Sequence, residues 1–542
     1  MTSPPRWDAE AEVVIVGAGT AGCVLANRLS ADPARRVVLL EAGGGDGHPL
    51  IRMPMGFLKA LARPAFGWGY RSEPEPALDG RVLPIPRGRL LGGSSSVNGM
   101  FHIRGHRRDF DDWAAAGCTG WSYDEVLPLF RRSEASWRGD GPYHGGRGPL
   151  QVRPIDQRGL LAEPLRESAR RAGHPPNDDY DGEHHGGYAV GEVAIDRRGR
   201  RHSSARAYLH PVRSRTNLQV WTGALSQRIV VEGGRATGIE LLRDGRRLRL
   251  RATREVVLCA GTYGSPRLLM LSGIGPAREL QRHGIAVVRE LGGVGENLIE
   301  HPRMPLQFRA RRPITFINQL RFDRAVVSAL RWGLLGSGPF ANQICHGTIL
   351  FKTDPGLDRE DVQLLCNPVR VDAGLWFPGV VAPQAHCFYV TVCQLYAKSR
   401  GRVTLRSADP MDPPRIALNL FSHEDDRRSM RAAIRAARAI YATEPMASLV
   451  DAEMLPGGEL RSDDELDGAI RALGGITHHP VGTCAMGIGP RAVVDPRLQV
   501  HGVAGLRVAD ASIMPTIVGG NTNAATLMIG EKAADLMMSE GA

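Results

Sequence analysis

Three glycines near the N-terminus have the spacing of a nucleotide-binding turn. Gly17, Gly19 and Gly22 form a G-x-G-x-x-G pattern, and Glu41 lies 19 positions after the last glycine. In such a turn the first glycine allows a tight bend, the second lets a pyrophosphate approach the backbone, and the third permits close packing of a helix on a strand. A glutamate that far along the chain accepts hydrogen bonds from ribose hydroxyls. The spacing therefore predicts binding of a dinucleotide.

Three short segments must position this turn. The apolar runs Val13–Val16 and Val37–Leu40 predict buried strands, and Cys23–Leu29 predicts the helix between them. The helix N-terminus offers unbonded N–H groups and partial positive charge to phosphates. Near the other end of the chain, residues 521–523 precede a predicted helix over Ala524–Met538, whose N-terminus is a second candidate for binding an anion.

Further segments indicate a larger nucleotide-binding region and a second domain. Residues 87–100 and 261–275 are rich in glycine, which suits close approach of the backbone to a ligand. From about residue 305 to 475, strand-like segments such as Cys387–Cys393 and Gly401–Leu405 alternate with polar ones, and a second domain is expected there. Other predicted elements are strands at 217–222, 227–231, 236–241, 246–251 after an Asp244-Gly245 turn, and 256–260, and a helix capped by Ser422 that runs through Tyr441.

Composition and charge exclude several classes of protein. Of the 542 residues, 42% are hydrophobic and 23% charged, so the chain can bury a large core and disorder is excluded as its main state. The formal net charge of +11 is compatible with a polyanionic partner. However, only four of the 68 basic residues are lysine and the arginines are scattered in ones and twos, so we expect no nucleic-acid partner.

No targeting or metal-binding pattern stands out. No apolar run approaches the roughly 20 residues that a membrane-spanning helix requires, and Met1–Asp8 lacks the basic and apolar regions of a secretory signal. We therefore expect a cytoplasmic protein with no transmembrane segment. The eight cysteines form no C-x-x-C pair, and adjacent histidines such as His184-His185 point in different directions, so reduced thiols and no metal site are expected.

Taken together, the motifs resemble the glucose-methanol-choline (GMC) family of flavoprotein oxidoreductases over nearly the full length. The resemblance rests on the glycine turn with Glu41 and on seven further motifs in the family's order, which are residues 68–71, 88–100, 261–275, 293–302, 398–403, 479–487 and 508–521. It implies an α/β fold with a Rossmann-like FAD-binding domain and a second, α+β substrate domain built on an antiparallel sheet. The implied boundaries are 8–154, 204–304 and 476–542 for the discontinuous FAD domain, and 155–203 and 305–475 for the substrate domain.

The resemblance also implies a catalytic pair. Oxidation of an alcohol requires a base for the hydroxyl proton and a group that holds the alkoxide, while the carbon-bound hydrogen passes as hydride to the flavin. His479 matches the family's catalytic histidine, and imidazole suits proton transfer near neutral pH. Asn521 matches the second family position, where an amide can donate to the developing alkoxide. His301 belongs to a motif that orders a turn near the cofactor, and Glu300 replaces the family's usual Asp.

Most of the remaining site residues are expected to hold the cofactor. The implied FAD contacts are Gly17, Gly19, Thr20, Ala21, Gly22, Glu41, Trp68, Gly92, Gly93, Ser94, Asn98, Gly99, Met100, Leu225, Asp510, Ala511 and Thr522. His478 is interpreted as a wall residue that contacts substrate, with structural packing as the alternative.

Two departures from the family narrow the expected chemistry. Some choline-oxidising relatives carry a flavin-linking histidine where this chain has Val97, and valine has no nucleophilic atom, so FAD is expected to bind non-covalently. Relatives often carry a glutamate near the position of His346, a candidate substrate contact. A neutral histidine is poorly suited to a cationic substrate, which makes quaternary amines less favoured.

These observations favour FAD-dependent oxidation of a primary alcohol to an aldehyde by a dehydrogenase or oxidase, with oxygen or a quinone-like carrier as electron acceptor. Trp376, Phe377 and Phe388 suggest an aromatic or alicyclic alcohol. The alternatives are a choline-type dehydrogenase and a non-redox flavoprotein similar to hydroxynitrile lyases.

Overall fold

The predicted strand–turn–helix–strand unit is confirmed in the computed structural model, which describes residues 6–540. Ala9–Val16 and Val37–Leu40 are parallel strands, and Thr20–Leu29 is the helix between them. Residues 13–16 and 37–40 are all buried, which explains why neither run alternates with polar residues. The segment Met1–Asp8, on which the expected lack of a secretory signal rests, lies partly outside the described residues.

The first sheet combines parallel strands with an antiparallel edge. Its order is 224–232, 235–243, 246–258, 9–16, 37–40 and 218–221, with Leu506–Val508 pairing beside 246–258. The strands predicted at 246–251 and 256–260 are confirmed as strand, and the structure joins them in one continuous strand, Arg246–Leu258. Its arginine-rich half pairs antiparallel with 235–243, and its apolar half pairs parallel with 9–16. The Asp244-Gly245 turn is confirmed, since both residues have positive φ.

The second sheet is antiparallel throughout. Its order is 450–455, 302–310, 387–394, 362–367, 347–351 and 187–189, with Gly475–Ile476 pairing beside 302–310. Alternate side chains such as Phe308 and Phe388 pack on the helix Glu424–Tyr441 in one core cluster. The intervening side chains lie on the opposite face. This confirms the predicted fold class of an α/β Rossmann-like domain with a second, antiparallel-sheet domain, while the exact domain boundaries stay a prediction.

The cap of the helix Glu424–Tyr441 differs from the prediction. His423 is the N-cap, and its ring Nδ1 accepts a hydrogen bond from the Asp425 N–H at 3.1 Å. The Ser422 hydroxyl is instead bonded to that of Ser399 at 3.0 Å, so it is unavailable to cap the helix.

Two helices from opposite ends of the chain lie side by side. Thr522–Ser539 packs on Thr20–Leu29, and a Cβ on Gly530 would lie only 2.9 Å from that of Val24, so only glycine permits this approach. At their N-termini the Thr20 hydroxyl donates to Asn523 Oδ1 at 2.8 Å. Both helix N-termini therefore open at the same place.

The other elements surround these two sheets. The remaining α-helices are Pro49–Arg52, Phe57–Leu61, Arg107–Ala115, Tyr123–Ser133, Ala162–Arg171, Gly261–Leu271, Ala277–Arg282, Phe322–Leu335, Met446–Leu449 and Asp463–Leu473. Small strand groups are Tyr70–Arg71 with Pro84–Ile85, Glu134–Ser136 with Leu150–Pro154 and Glu192–Val193, Ile274–Gly275 with Arg289–Glu290, and Arg402–Thr404 with Arg415–Ala417. Within residues 6–540 no helix is long and apolar enough to cross a membrane, and no three His, Cys, Asp or Glu side chains are grouped to hold a metal ion.

Candidate active site

A cavity of about 450 Å³ lies where the two sheets meet. One side is lined by the carboxyl ends of the strands 9–16 and 37–40, where parallel sheets commonly bind nucleotides. The other side is lined by residues of the strands 302–310, 362–367 and 387–394. The cavity therefore joins a nucleotide-binding half to a second half walled by the antiparallel sheet.

The glycine turn is shaped as the sequence predicts. Gly17 has φ +103°, and a Cβ there would collide with the carbonyl of Cys259. A Cβ on Gly22 would collide with the carbonyl of Gly17, so the third glycine allows close packing of the helix on the turn. A Cβ on Gly93 would lie 2.9 Å from Gly19 Cα. These contacts bring two glycine-rich segments together at the cavity with no side chain between them.

Glu41 is held by the backbone around the turn. One carboxylate oxygen accepts the N–H of Ala18 at 3.1 Å and the other that of Gly43 at 2.8 Å. Burial raises the pKa of Glu41 to about 7, and the two backbone bonds act against that rise. Each oxygen retains a second lone pair, so the carboxylate can still accept from ribose hydroxyls.

The two helix N-termini supply positive dipole to the same half of the cavity. The N-caps Gly19 and Asn521 make no side-chain capping bond, so the first N–H groups of both helices are open to a ligand. Asp510 lies nearby and accepts from the Gly261 N–H and the Ser265 hydroxyl at 2.8 and 2.6 Å. The site thus has the donors that a pyrophosphate needs.

Most of the residues predicted to hold the cofactor line this cavity. Gly22 and Gly92 do not, because they lie behind the turn, where Gly22 packs on Gly17 and the Gly92 N–H donates to the Ala18 carbonyl. The predicted residues that do line it are Gly17, Gly19, Thr20, Ala21, Glu41, Trp68, Gly93, Ser94, Asn98, Gly99, Met100, Leu225, Asp510, Ala511 and Thr522. Their roles as cofactor ligands stay predictions.

His479 and Asn521 come together in the other half. Nε2 of His479 lies 3.0 Å from the amide nitrogen of Asn521, and both side chains line the cavity. The amide nitrogen can only donate, so Nε2 is the acceptor and carries no proton. The Asn521 carbonyl oxygen has no partner among the described residues. The one lone pair of Nε2 is therefore occupied by the Asn521 amide, and both groups face the same space, where a substrate hydroxyl can replace this hydrogen bond.

The opposite side of the imidazole fixes its tautomer. The Thr477 hydroxyl donates to the His301 carbonyl at 3.0 Å, so its oxygen is left to accept from Nδ1 of His479 at 3.1 Å. Burial, followed by the neighbouring His301, Arg87 and His478, holds the pKa of His479 well below its usual range. The ring is therefore neutral at pH 7, with its proton on Nδ1 and a lone pair on Nε2.

His301 and Glu300 contribute more to this arrangement than the sequence indicates. Nδ1 of His301 lies 3.0 Å from Nδ1 of His479, and burial lowers the pKa of His301 to about 4. Glu300 Oε1 accepts the backbone N–H of both histidines, at 3.0 Å from His301 and 2.5 Å from His479. Burial raises the pKa of Glu300 to about 7, although Arg87 lowers it in part. Glu300 therefore ties the strand that begins at Pro302 to the segment that carries His479.

The two candidate substrate histidines lie in different places. His478 lines the cavity with φ +69°, and its Nδ1 has no partner in the described part of the chain. His346 does not line the cavity. It is fully buried, with Nδ1 3.0 Å from the Leu160 carbonyl and Nε2 3.4 Å from the Tyr441 hydroxyl. His346 is placed as a core residue.

The aromatic residues that suggested an aromatic substrate also lie away from the cavity. Phe388 is buried against His346, Trp376 donates to the Ile317 carbonyl at 2.8 Å, and Phe377 is exposed. The aromatic lining comes instead from Phe57, Trp68, Tyr70, Phe101, Tyr263 and Tyr389. Trp68, Tyr70 and Tyr263 belong to motifs that the sequence analysis identified, whereas Phe57, Phe101 and Tyr389 carried no local signal.

Comparison with known proteins gives matches over most of the chain. Two family models, both described as GMC oxidoreductase, match residues 11–303 and 397–530. Among curated relatives, the oxygen-dependent choline dehydrogenase of Brucella ovis is 42% identical over 97% of this chain and 95% of its own length. The enzyme of the same name from Sinorhizobium medicae is 41% identical over 98% and 96%.

Solved structures share the whole architecture. Pyridoxine 4-oxidase from Mesorbium loti has a TM-score of 0.87 at 31% identity, covering 98% of this chain and 99% of its own. Formate oxidase from Aspergillus oryzae, in a variant studied for its effect on FAD modification, has a TM-score of 0.91 at 28% identity, covering 99% of both chains.

Proposed function

The chain belongs to the GMC oxidoreductase family and is an FAD-dependent oxidoreductase acting on CH–OH groups, and from this premise we propose that it oxidises a primary alcohol to the aldehyde with His479 as base. The observation that carries the proposal is the pairing of an unprotonated Nε2 on His479 with the amide donor of Asn521 at 3.0 Å.

The nucleotide half of the cavity fits FAD. The side-chain-free contact of Gly93 with Gly19 and the two uncapped helix N-termini match a pyrophosphate, and Glu41 matches an adenosine ribose. Val97 lines the cavity and has no atom that can bond covalently to a flavin. When bound, FAD supplies an acceptor for the two electrons and the hydrogen that leave the substrate carbon.

The chain's own residues handle the proton and the developing charge. The O–H and one C–H bond of the alcohol break and a C=O bond forms. Nε2 of His479 takes the hydroxyl proton, and the amide of Asn521 donates to the oxygen as negative charge develops on it. Because burial and the nearby Arg87 disfavour the charged imidazolium, His479 does not retain the proton after the reaction.

A choline-type dehydrogenase is the second candidate, and the similarity to oxygen-dependent choline dehydrogenases favours it. The electron acceptor is proposed to be oxygen or a quinone-like carrier.

Anaerobic addition of alcohols to the FAD-loaded protein tests the proposed function. We expect at least one primary alcohol to bleach the flavin absorbance near 450 nm, and admission of air to report whether oxygen restores it. If no alcohol in a panel of aryl, alkyl, sugar and amino alcohols bleaches a fully loaded protein, the redox proposal fails and a lyase-like reaction replaces it.

A further inference from the structure

The substrate half of the cavity carries a cation that no carboxylate neutralises. Arg303, on the strand Pro302–Ala310, lines the cavity together with the histidine pair. Its Nε donates to the Ile476 carbonyl at 2.9 Å, and its Nη1 lies 3.4 Å from the Tyr389 hydroxyl. Its Nη2 makes no hydrogen bond to the described residues, and within residues 6–540 the guanidinium has no ion pair with a carboxylate.

The carboxylates that line the cavity lie in its nucleotide half, away from Arg303. Among the described lining residues they are Glu41 and Asp510, and both accept hydrogen bonds from backbone N–H groups. The substrate half contains a second arginine, Arg87, whose Nε and Nη2 are buried without hydrogen-bond partners in the described chain. Its Nη2 lies 3.9 Å from the carboxylate of Glu300, which does not line the cavity. Two arginines therefore face a half of the cavity whose described lining holds no carboxylate, and Arg303, which has no carboxylate partner, is available to pair with a ligand.

The register of the sheet places further hydrogen-bond donors beside Arg303. Arg303 pairs with Cys393 across the sheet, so Arg303, Thr391 and Tyr389 lie on the same, cavity-facing side. The Tyr389 oxygen lies within reach of the guanidinium as an acceptor, which leaves its own hydrogen free to donate. The guanidinium Nη2 and this hydroxyl together offer the donors that one carboxylate requires.

Arg303 also lies at a useful distance from the reacting centre. It is two residues beyond His301, whose ring touches His479, and residues two apart along extended chain are separated by about 7 Å. After burial, Arg87 and Arg303 further lower the pKa of His478 to about 3, which places both guanidiniums within electrostatic reach of the histidine pair.

From this geometry we infer that the substrate is a primary alcohol that also carries a carboxylate, which Arg303 and Tyr389 bind while the hydroxymethyl group lies against His479 and Asn521. The inference rests on the proposed function and names its substrate class. A quaternary ammonium alcohol such as choline is disfavoured, because its charge would face Arg303 and Arg87 with no carboxylate between them.

Matched substrates test the charge preference directly. Steady-state oxidation would be compared for 4-(hydroxymethyl)benzoate and its amide, for 6-hydroxyhexanoate and its amide, and for choline and its neutral isostere 3,3-dimethylbutan-1-ol. We expect the carboxylates to exceed their amides in kcat/KM by roughly 10- to 100-fold, as loss of a hydrogen bond to a charged group implies, and choline to be poorer than its isostere. A diol with one hydroxyl esterified to phosphate tests whether the site prefers any anionic alcohol or a carboxylate in particular.

Variants assign the preference to Arg303. Arg303→Gln should raise KM for the carboxylates roughly 10- to 100-fold with a smaller change in kcat, and Arg303→Glu should reverse the order of choline and its isostere. The matched control is Arg309→Gln on the same strand, which removes an exposed arginine paired with Asp451 outside the cavity and should leave the preference unchanged.

Failure of the inference and failure of the proposed function are distinguishable. Efficient reduction by the amides or by choline, with carboxylates no better, overturns the inference and leaves alcohol oxidation standing. Reduction by no alcohol overturns the proposed function. Even then, binding of the unreactive 4-methylbenzoate, measured by the change in the flavin absorbance spectrum, tests the role of Arg303. Binding that is weakened by Arg303→Gln supports the carboxylate site. Absence of binding overturns it.

Discussion

The amide nitrogen of Asn521 and Nε2 of His479 lie 3.0 Å apart although the two residues are 42 positions apart in the chain. A substrate hydroxyl that bonds to both must lie beside this pair. To donate its proton to Nε2, the substrate hydroxyl must replace the Asn521 amide as the partner of this nitrogen, after which the amide can donate to the substrate oxygen.

Replacement of His479 by alanine removes the base. We expect flavin reduction by the best substrate to slow by roughly 10²- to 10⁴-fold, the usual contribution of a general base, while FAD stays bound. Anaerobic stopped-flow absorbance measures the rate, and the flavin-to-protein absorbance ratio measures occupancy. His184→Ala removes an exposed histidine and serves as control. Reduction at the wild-type rate would remove His479 from the mechanism.

Replacement of Asn521 separates donation from cofactor binding. Asn521→Ala should slow flavin reduction by about 10²- to 10³-fold, as seen when an oxyanion donor is lost. Asn521→Asp keeps the size but replaces the donor with an acceptor, so we expect a loss at least as large. If either variant fails to retain FAD, Asn521 acts mainly as a cofactor ligand.

Thr477 is expected to act through the tautomer of His479. Thr477→Val removes the acceptor for the Nδ1 proton and should slow flavin reduction by roughly tenfold, the effect of one lost hydrogen bond. Thr477→Ser should restore the rate, because the hydroxyl is kept. Equal rates in the valine and serine variants would show that the tautomer does not depend on this hydroxyl.

Glu300 makes stability depend on pH. Burial raises its folded-state pKa to about 7 from an unfolded value near 4.5. Between pH 4.5 and pH 7 the carboxyl group of Glu300 is deprotonated in the unfolded chain but still protonated in the folded protein. The stability that protonated Glu300 contributes is therefore complete below about pH 4.5 and is lost as pH rises through 7. Glu300→Gln cannot titrate and should gain stability relative to wild type between pH 5 and 8, by at most about 3 kcal/mol.

Denaturation midpoints measured at pH 5 and pH 8 test this expectation. The control is Glu459→Gln, which changes an exposed glutamate. If the difference in denaturation midpoint between Glu300→Gln and wild type is the same at pH 5 and pH 8, the assigned pKa of Glu300 is contradicted.

The mode of cofactor binding is tested by unfolding. Because Val97 offers no nucleophile, all FAD should pass into the filtrate when the protein is denatured in guanidinium chloride and filtered. Visible absorbance of the filtrate and of the retained protein measures the partition. Yellow colour that stays with the chain would require a covalent bond to another side chain of the cavity.

Local patterns predicted the nucleotide half well. The turn at Gly17 and the flanking strands depend on residues close together in sequence, so spacing alone indicates their structure. Glu41 could be placed because a parallel strand carries its last residue to the same edge as the turn.

The substrate half depends on contacts between distant segments, and there local patterns were insufficient. His301 meets His479 only because the strand from Pro302 pairs with Gly475–Ile476, which no local periodicity indicates. His346 was expected near the substrate, yet it lies buried in the core directly before the strand Gly347–Phe351. Arg303 carried no signal in a chain with many scattered arginines, and only its place on the cavity-facing side distinguishes it.

The contact between Thr20 and Asn523 has a consequence for biosynthesis. The two residues are 503 positions apart, so at about 5 to 20 residues per second roughly 25 to 100 s pass between their synthesis. Until then the nascent chain holds the glycine turn without the second helix that borders the cavity. Stable capture of the flavin nucleotide should therefore wait for synthesis of the helix Thr522–Ser539, and its deletion should yield colourless protein.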